Sequence, residues 1–389
     1  MERNKQFLAF LSCFGYFALA MINFALIYFL KERGFTSFEV GIAASIYPFS
    51  YFVFCLIVPL FIKGQEKRSI TVSFLLVFAA ILTLVLVDSK ALSFIALIIY
   101  GASTSLLWPN VETLITLSDE GDNLNRSIMK FNVAWSIGSG AATATSGILS
   151  LSSYRLPFYL SLMLVLALSC ASLFIKKGDV IERKREERAE EPPTKAIVLS
   201  SWASLFLLYM LYGILFTVYP LYSSDVLNAG GNITGVLLMF FGIASSLSFY
   251  ILGKMTIWQR KLKVIISAEL MLIAVSIVIA SCKILFIRMI AFALYGIIFS
   301  LLYDSSMFHG SVGVKDRSMR MVIHEVILTF ATIVGSLLGS LVYQLKSFQT
   351  LIIGYVVISI ILIFIEIVFF KQMKSGKNNS IKGAPVRCT

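Results

Sequence analysis

Twelve apolar stretches, each close to the length needed to cross a bilayer, occupy almost the whole of this 389-residue chain. A hydrocarbon core about 30 Å thick and a helical rise of about 1.5 Å per residue call for about 20 largely apolar residues per crossing. Read from hydropathy, the spans run 7 to 30, 38 to 62, 70 to 88, 92 to 115, 128 to 151, 157 to 175, 198 to 222, 233 to 253, 263 to 281, 284 to 308, 320 to 345 and 349 to 370. With 58% hydrophobic residues, 14% charged residues and a mean hydropathy of +0.87, the chain lacks the polar surface to enclose a soluble core of this size. The first stretch shows no small-residue cleavage pattern and leads into a second span, which predicts a retained helix rather than a leader. The expected fold class is an all-α polytopic membrane protein.

The net charge of +12 reads as topology rather than as a nucleic-acid surface. If the N-terminus is cytoplasmic, 26 of the 33 Lys and Arg fall in inner segments and 7 in outer ones, among them Lys31, Arg33, Lys90, Arg155, Lys283, Arg288 and Lys346. That bias places both termini in the cytoplasm and the protein in the cytoplasmic membrane. The longest polar interruption, Lys176 to Lys195, mixes Glu182, Glu186, Glu187, Glu190 and Glu191 with bases before Pro192 and Pro193. It reads as a tether between bundles. The expected division is an N-terminal six-helix bundle at 1–175, a charged linker at 176–197, a C-terminal six-helix bundle at 198–370 and a cytoplasmic tail at 371–389.

The fourth and tenth spans carry the trace of a duplication. Tyr100-Gly101-Ala102-Ser103-Thr104-Ser105-Leu106-Leu107-Trp108 aligns without gaps on Tyr295-Gly296-Ile297-Ile298-Phe299-Ser300-Leu301-Leu302-Tyr303, identical at five of nine positions. Each is followed by an inner loop with an Arg-Ser pair, Arg126-Ser127 and Arg317-Ser318, and then by a Gly-bearing helix with Gly138, Gly140 and Gly147 or with Gly335 and Gly339. Parallel repeats related by an axis along the membrane normal are a transporter plan.

On these features, over nearly its whole length, the chain resembles the major facilitator superfamily (MFS). The resemblance implies twelve transmembrane helices in two six-helix bundles related by pseudo-two-fold symmetry. The family's motif between its second and third helices is mostly missing. The frame Pro59-Leu60-Phe61-Ile62-Lys63-Gly64-Gln65-Glu66-Lys67-Arg68 keeps only the final bases, and the second-half frame Gly253 to Leu262 keeps the first Gly and one base. Drug and proton antiporters of the family often have an Arg where this chain has Ile98 and a Gly-Pro pair where it has Gly140-Ala141, which disfavours multidrug efflux against other carriers.

Charged residues inside spans cost on the order of 2.5–3.5 kcal/mol each at the membrane centre, so they mark function. The resemblance puts the fourth, fifth, tenth and eleventh spans around the pathway, which singles out Glu112, Asp304, His324 and Glu325. Asp304 and Glu325 stand about equally far from the loop centre near Val314, on the two arms of a hairpin, and so at similar depth. If close, they share a proton and form a coupling site. If they meet Arg126, Lys130, Arg317 or Arg320 instead, they form an inner gate. Glu269 and Glu366 fall on helices that the resemblance makes peripheral, where snorkelling or pairing with basic loops is expected. Cavity candidates are Asn23, Tyr47, Tyr51, Tyr100, Asn132, Trp135, Tyr209, Tyr212 and Tyr295, whose aromatic faces and polar tips suit sugars, nucleosides or amphipathic drugs. With Lys and Arg confined to the span ends, strongly anionic solutes are disfavoured.

Two histidines and five scattered cysteines show no metal-ligand spacing, and no nucleotide-binding Gly-rich loop occurs, so no metal, cofactor or direct ATP drive is expected. The reading is a secondary carrier, not an enzyme, moving a small neutral, zwitterionic or cationic organic solute across the bilayer as a monomer, with protons as a candidate coupling ion. A multidrug efflux permease is the first alternative, and a non-transporting polytopic membrane receptor or assembly protein is the alternative from another class. The topology is directly testable. Cysteines introduced at Lys184 and Asn379 are expected to be shielded from an impermeant thiol reagent in intact cells and one at Asn228 to label; labelling at Lys184 from outside would overturn the span count.

Overall fold

The computed structural model describes residues 2–57, 65–116, 121–175, 193–312 and 317–382. Most of the frame 59–68 and of the charged linker lies outside the described residues. The N-terminal half comprises α1 (Glu2–Glu32), α2 (Ser37–Ile57), α3 (Glu66–Leu86), α4 (Lys90–Ser105), α5 (Trp108–Thr116), α6 (Gly121–Leu149) and α7 (Leu156–Ser172). The C-terminal half comprises α8 (Lys195–Gly213), a π-helical turn (Ile214–Val218), α9 (Tyr219–Asp225), α10 (Gly231–Leu252), α11 (Leu262–Ser281), α12 (Leu285–Ser311), α13 (Arg317–Leu345) and α14 (Phe348–Lys382).

These pieces make twelve crossings, because α4 with α5 forms the fourth and α8, the π turn and α9 form the seventh. Proline explains both interruptions. Pro109 has no N–H to continue the ladder, so Leu106 and Leu107 donate to the carbonyls of Ser103 and Thr104 in a tighter turn before α5 restarts. Pro220, two residues past the π segment, likewise lacks an N–H for the ladder, and there the turn widens rather than tightens. Ten crossings are long and apolar by composition alone. The other two are α6, rich in Gly, Ser and Thr, and α7, only 17 residues long. Two details differ from the sequence reading. Arg126 and Ser127 lie within α6 rather than in a loop, and α14 continues as helix to Lys382, well past the expected end of the span.

The duplication is visible atom by atom. A Cβ on Gly101 would stand 2.3 Å from the Tyr47 carbonyl oxygen of α2, and one on Gly296 would stand 2.4 Å from the Phe241 carbonyl oxygen of α10. Tyr100 donates to the Leu19 carbonyl of α1, and Tyr295 to the Leu208 carbonyl of α8, each at 3.4 Å. The fourth span therefore meets the second and first as the tenth meets the eighth and seventh. Lipid tails offer no hydrophobic gain to helix pairing, so close backbone approach at small residues holds each half together.

The halves meet along two seams, α2 with α13 and α6 with α10. In the second, Gly140 and Gly242 face each other so closely that a Cβ on Gly242 would stand 2.3 Å from the Gly140 Cα. Contacts join the halves at both ends. Lys31 pairs with Asp225, and the Phe38 N–H donates to Gln344 Oε1 at 2.8 Å. At the other end, Asn125 Nδ2 donates to the Gly253 carbonyl at 3.0 Å. Gly101→Val and Gly296→Val are each expected to destabilise the purified protein by about 1–3 kcal/mol through overpacking. Gly354→Ala, where a Cβ meets open space, should be neutral or stabilising. Equal melting temperatures for all three variants would dispose of the close-approach argument.

Candidate functional site

Where α1, α2, α5, α6, α8, α12 and α13 converge, aromatic side chains form a continuous cluster across the boundary between the halves. Tyr16 stacks on Trp108 with ring centroids 3.8 Å apart and lies 5.3 Å from Trp135. Trp135 in turn packs edge-on against Phe249, Phe299 and Tyr303 of the other half, at 5.6 to 6.0 Å. Tyr209 continues the chain to Tyr212 at 5.4 Å. Tyr16, Asn23, Tyr47, Tyr209 and Tyr212 keep some accessible surface within this cluster.

Polar groups inside the cluster are matched donor to acceptor. Trp135 Nε1, a donor only, meets Asn132 Oδ1 at 2.9 Å. That fixes the amide, so Asn132 Nδ2 faces across the seam and donates to Asp304 Oδ1 at 2.7 Å. Tyr100 donates to Asn23 Oδ1 at 3.2 Å, and the Tyr47 hydroxyl is hydrogen-bonded to Thr104 and Asn23. Tyr295 packs on Phe241 at 5.0 Å inside the C-terminal half, its hydroxyl bound to the α8 backbone.

The acids are paired differently from the sequence expectation. Asp304 is held by Asn132, whereas Glu325 stands against Glu112 of α5 and accepts from the Tyr51 hydroxyl at 2.8 Å. Hairpin spacing put Asp304 and Glu325 on the two arms, α12 and α13, but carried no information on helix rotation. Successive residues turn about 100°, so neighbours face different helices. It is His324 that faces α12, with Nδ1 2.8 Å from Ser306 Oγ and its ring edge-on to Tyr303, leaving Glu325 toward α2 and α5. Arg126 is exposed, and the Arg320 guanidinium lies 5.2 Å over the Trp202 ring. The broken fourth span matters here, because the restart at Trp108 carries Glu112 to the seam. A hydrogen bond between two carboxyl groups needs a proton on one of them, since a carboxylate only accepts. The Glu112–Glu325 contact across the seam is of this kind only while one of the two carries a proton.

Glu269 and Glu366 also depart from the expectation of snorkelling or basic partners. They are buried against each other, and Ser200 donates to Glu366. His309 has a structural role: the Arg260 backbone N–H donates to Nε2 at 2.9 Å, so Nδ1 carries the proton toward Ser201 Oγ. Tyr16, Trp108, Phe299 and Tyr303 were missed as site residues. The signal was present, since Trp108 and Tyr303 are the ninth pair of the internal repeat and Tyr16 stands two helical turns before Asn23.

Twelve membrane-crossing helices in two pseudo-symmetric bundles, with a polar and aromatic site on the seam, define a transporter. The model of the Major Facilitator Superfamily matches residues 8–311, and the chain belongs to that family. Among solved structures it is similar to the human organic anion transporter MFSD10 (TETRAN), at 14% identity and TM-score 0.69, covering 94% of this chain and 99% of that one. It is similar also to the nucleoside transporter NupG, at 13% identity and TM-score 0.68, covering 95% and 99%. At these identities the likeness is one of fold. Comparison with curated proteins finds no match.

The Asn132–Asp304 bond can be weighed by a double-mutant cycle. Asn132→Leu and Asp304→Asn are expected to couple by about 0.5–2 kcal/mol in the stability of the purified protein. Additive effects of the two changes would show that the bond does not hold the seam.

Proposed function

We propose that this transporter is a proton-coupled secondary carrier of a small neutral, zwitterionic or cationic organic solute. In this reading it works by alternating access as a monomer in the cytoplasmic membrane, with both termini on the cytoplasmic side. The observation that carries the proposal is the approach of two buried acids, Glu112 and Glu325, across the seam, with the Tyr51 hydroxyl donating to Glu325. While one proton is shared, the pair ties the halves together. Once it leaves, two carboxylates face each other in a low-dielectric interior, and separating the halves relieves that cost. Proton occupancy then biases which face of the carrier is open, which is the condition for coupling.

The solute class follows from the surroundings. Tyr16, Tyr47, Tyr209 and Tyr212 offer ring faces and hydroxyls, and Asn23 adds an amide, a set suited to a ring-bearing solute with hydroxyl or amino groups. Lys and Arg sit toward the span ends, so a dianion would find little to neutralise it. NupG is described as a nucleoside transporter, and nucleosides are within this class.

A thermal-shift screen of purified protein against sugars, nucleosides, amino acids and lipophilic cations identifies a working solute by its stabilisation of the native state. With that solute in proteoliposomes, Glu325→Gln and Glu112→Gln are expected to abolish accumulation driven by a pH gradient while leaving solute exchange within about threefold, because exchange needs no net proton release. Loss of exchange and accumulation together would make the pair a gate. Undiminished pH-driven accumulation in the double variant would remove it from coupling.

A further inference from the structure

The second buried acid pair lies away from the seam, on the perimeter of the C-terminal half, where α8, α11 and α14 meet. We propose that Glu269, Glu366 and Ser200 form a bilayer-facing site for the ammonium group of a small hydrophobic primary amine. Beside them is a cavity of about 220 Å³, lined by Leu199, Ala203, Leu262 and Phe369 together with Ser200 and Glu366. Leu199 and Phe369 are 46% and 43% exposed, so in a bilayer the mouth of this cavity opens onto lipid. Glu269 stands seven residues after the start of α11, about 10 Å along the helix. The acids therefore lie below headgroup level, reached by a ligand that partitions into the membrane.

Glu269 is 1% exposed and Glu366 is 9% exposed, and neither forms an ion pair with Lys or Arg among the described residues. Ser200 donates to Glu366 Oε2. Both Glu269 oxygens and Glu366 Oε1 meet no hydrogen-bond donor among the described residues, so their lone pairs are unused. Ionisation of either acid leaves a buried charge without a counter-ion, which is costly. A primary ammonium brings that counter-charge and N–H donors for Glu366 and the free lone pairs of Ser200 Oγ, which line the cavity, with Glu269 adjoining Glu366 behind them. The apolar lining takes the hydrocarbon body. The volume, below the range of about 300–1,000 Å³ common for drug-sized ligands, limits that body to a short chain or one ring.

The site stands independently of the proposed coupling mechanism, and the test separates the two. Binding of 4-phenylbutylamine to the full-length protein in nanodiscs is measured by equilibrium dialysis, with 4-phenylbutanol as the neutral control. The wild type and Glu325→Gln are expected to bind the amine alike, and neither to bind the alcohol specifically. Glu366→Gln removes the charge and Ala203→Phe fills the cavity while leaving both acids, and each is expected to weaken binding at least tenfold. Ala203→Phe keeps the test decisive if Glu366→Gln fails to fold. Wild-type affinity in Ala203→Phe or in folded Glu366→Gln, equal binding of the alcohol, or loss of binding in Glu325→Gln would overturn the proposal. The last result would place the amine in the central pathway.

Discussion

A polar side chain inside a bilayer has no water to turn to, so it must find its partner on another helix. That requirement organises this transporter. Asn132 reaches Asp304, Tyr51 reaches Glu325, Tyr100 reaches Asn23 and Ser200 reaches Glu366. Since burial in hydrocarbon provides no drive for helices to associate, these bonds and the close backbone approaches at glycine supply the specificity. The bonds that cross the seam do more than hold the halves together. They join side chains of one half to side chains of the other.

Two carboxyl pairs occur in the molecule, and their settings separate their roles. Glu112 and Glu325 belong to different halves, beside aromatic residues that keep accessible surface. Glu269 and Glu366 belong to one half and border a small cavity on its perimeter. Like chemistry therefore lies between the halves in one case and within one half in the other.

Duplication explains why the seam is symmetric in backbone and asymmetric in chemistry. Gly101 and Gly296 make the same approach in their own halves, and Tyr100 and Tyr295 the same hydrogen bond to a neighbouring helix backbone. The repeats then diverge just beyond the shared register. Pro109 breaks the fourth span and turns Glu112 toward the seam, whereas the tenth continues unbroken and presents Asp304 to Asn132. A scaffold that needs symmetry for packing thus carries a site that needs asymmetry for binding.

The sequence alone determined the crossings, the two halves and the register of the repeat, because each rests on a local quantity: the length of an apolar run or an identity at a fixed offset. It also put the important acids on the table, since a charge in hydrocarbon is conspicuous wherever it stands. Only the tertiary structure decided which acid meets which. Asp304 and Glu325 stand on neighbouring helices, yet rotation about α12 and α13 turned one toward Asn132 and the other toward Glu112 and Tyr51. Glu269 and Glu366, far apart in sequence on two peripheral helices, met each other rather than the basic loops. Helix rotation and interhelix packing are products of the whole bundle, and no single stretch of sequence records them.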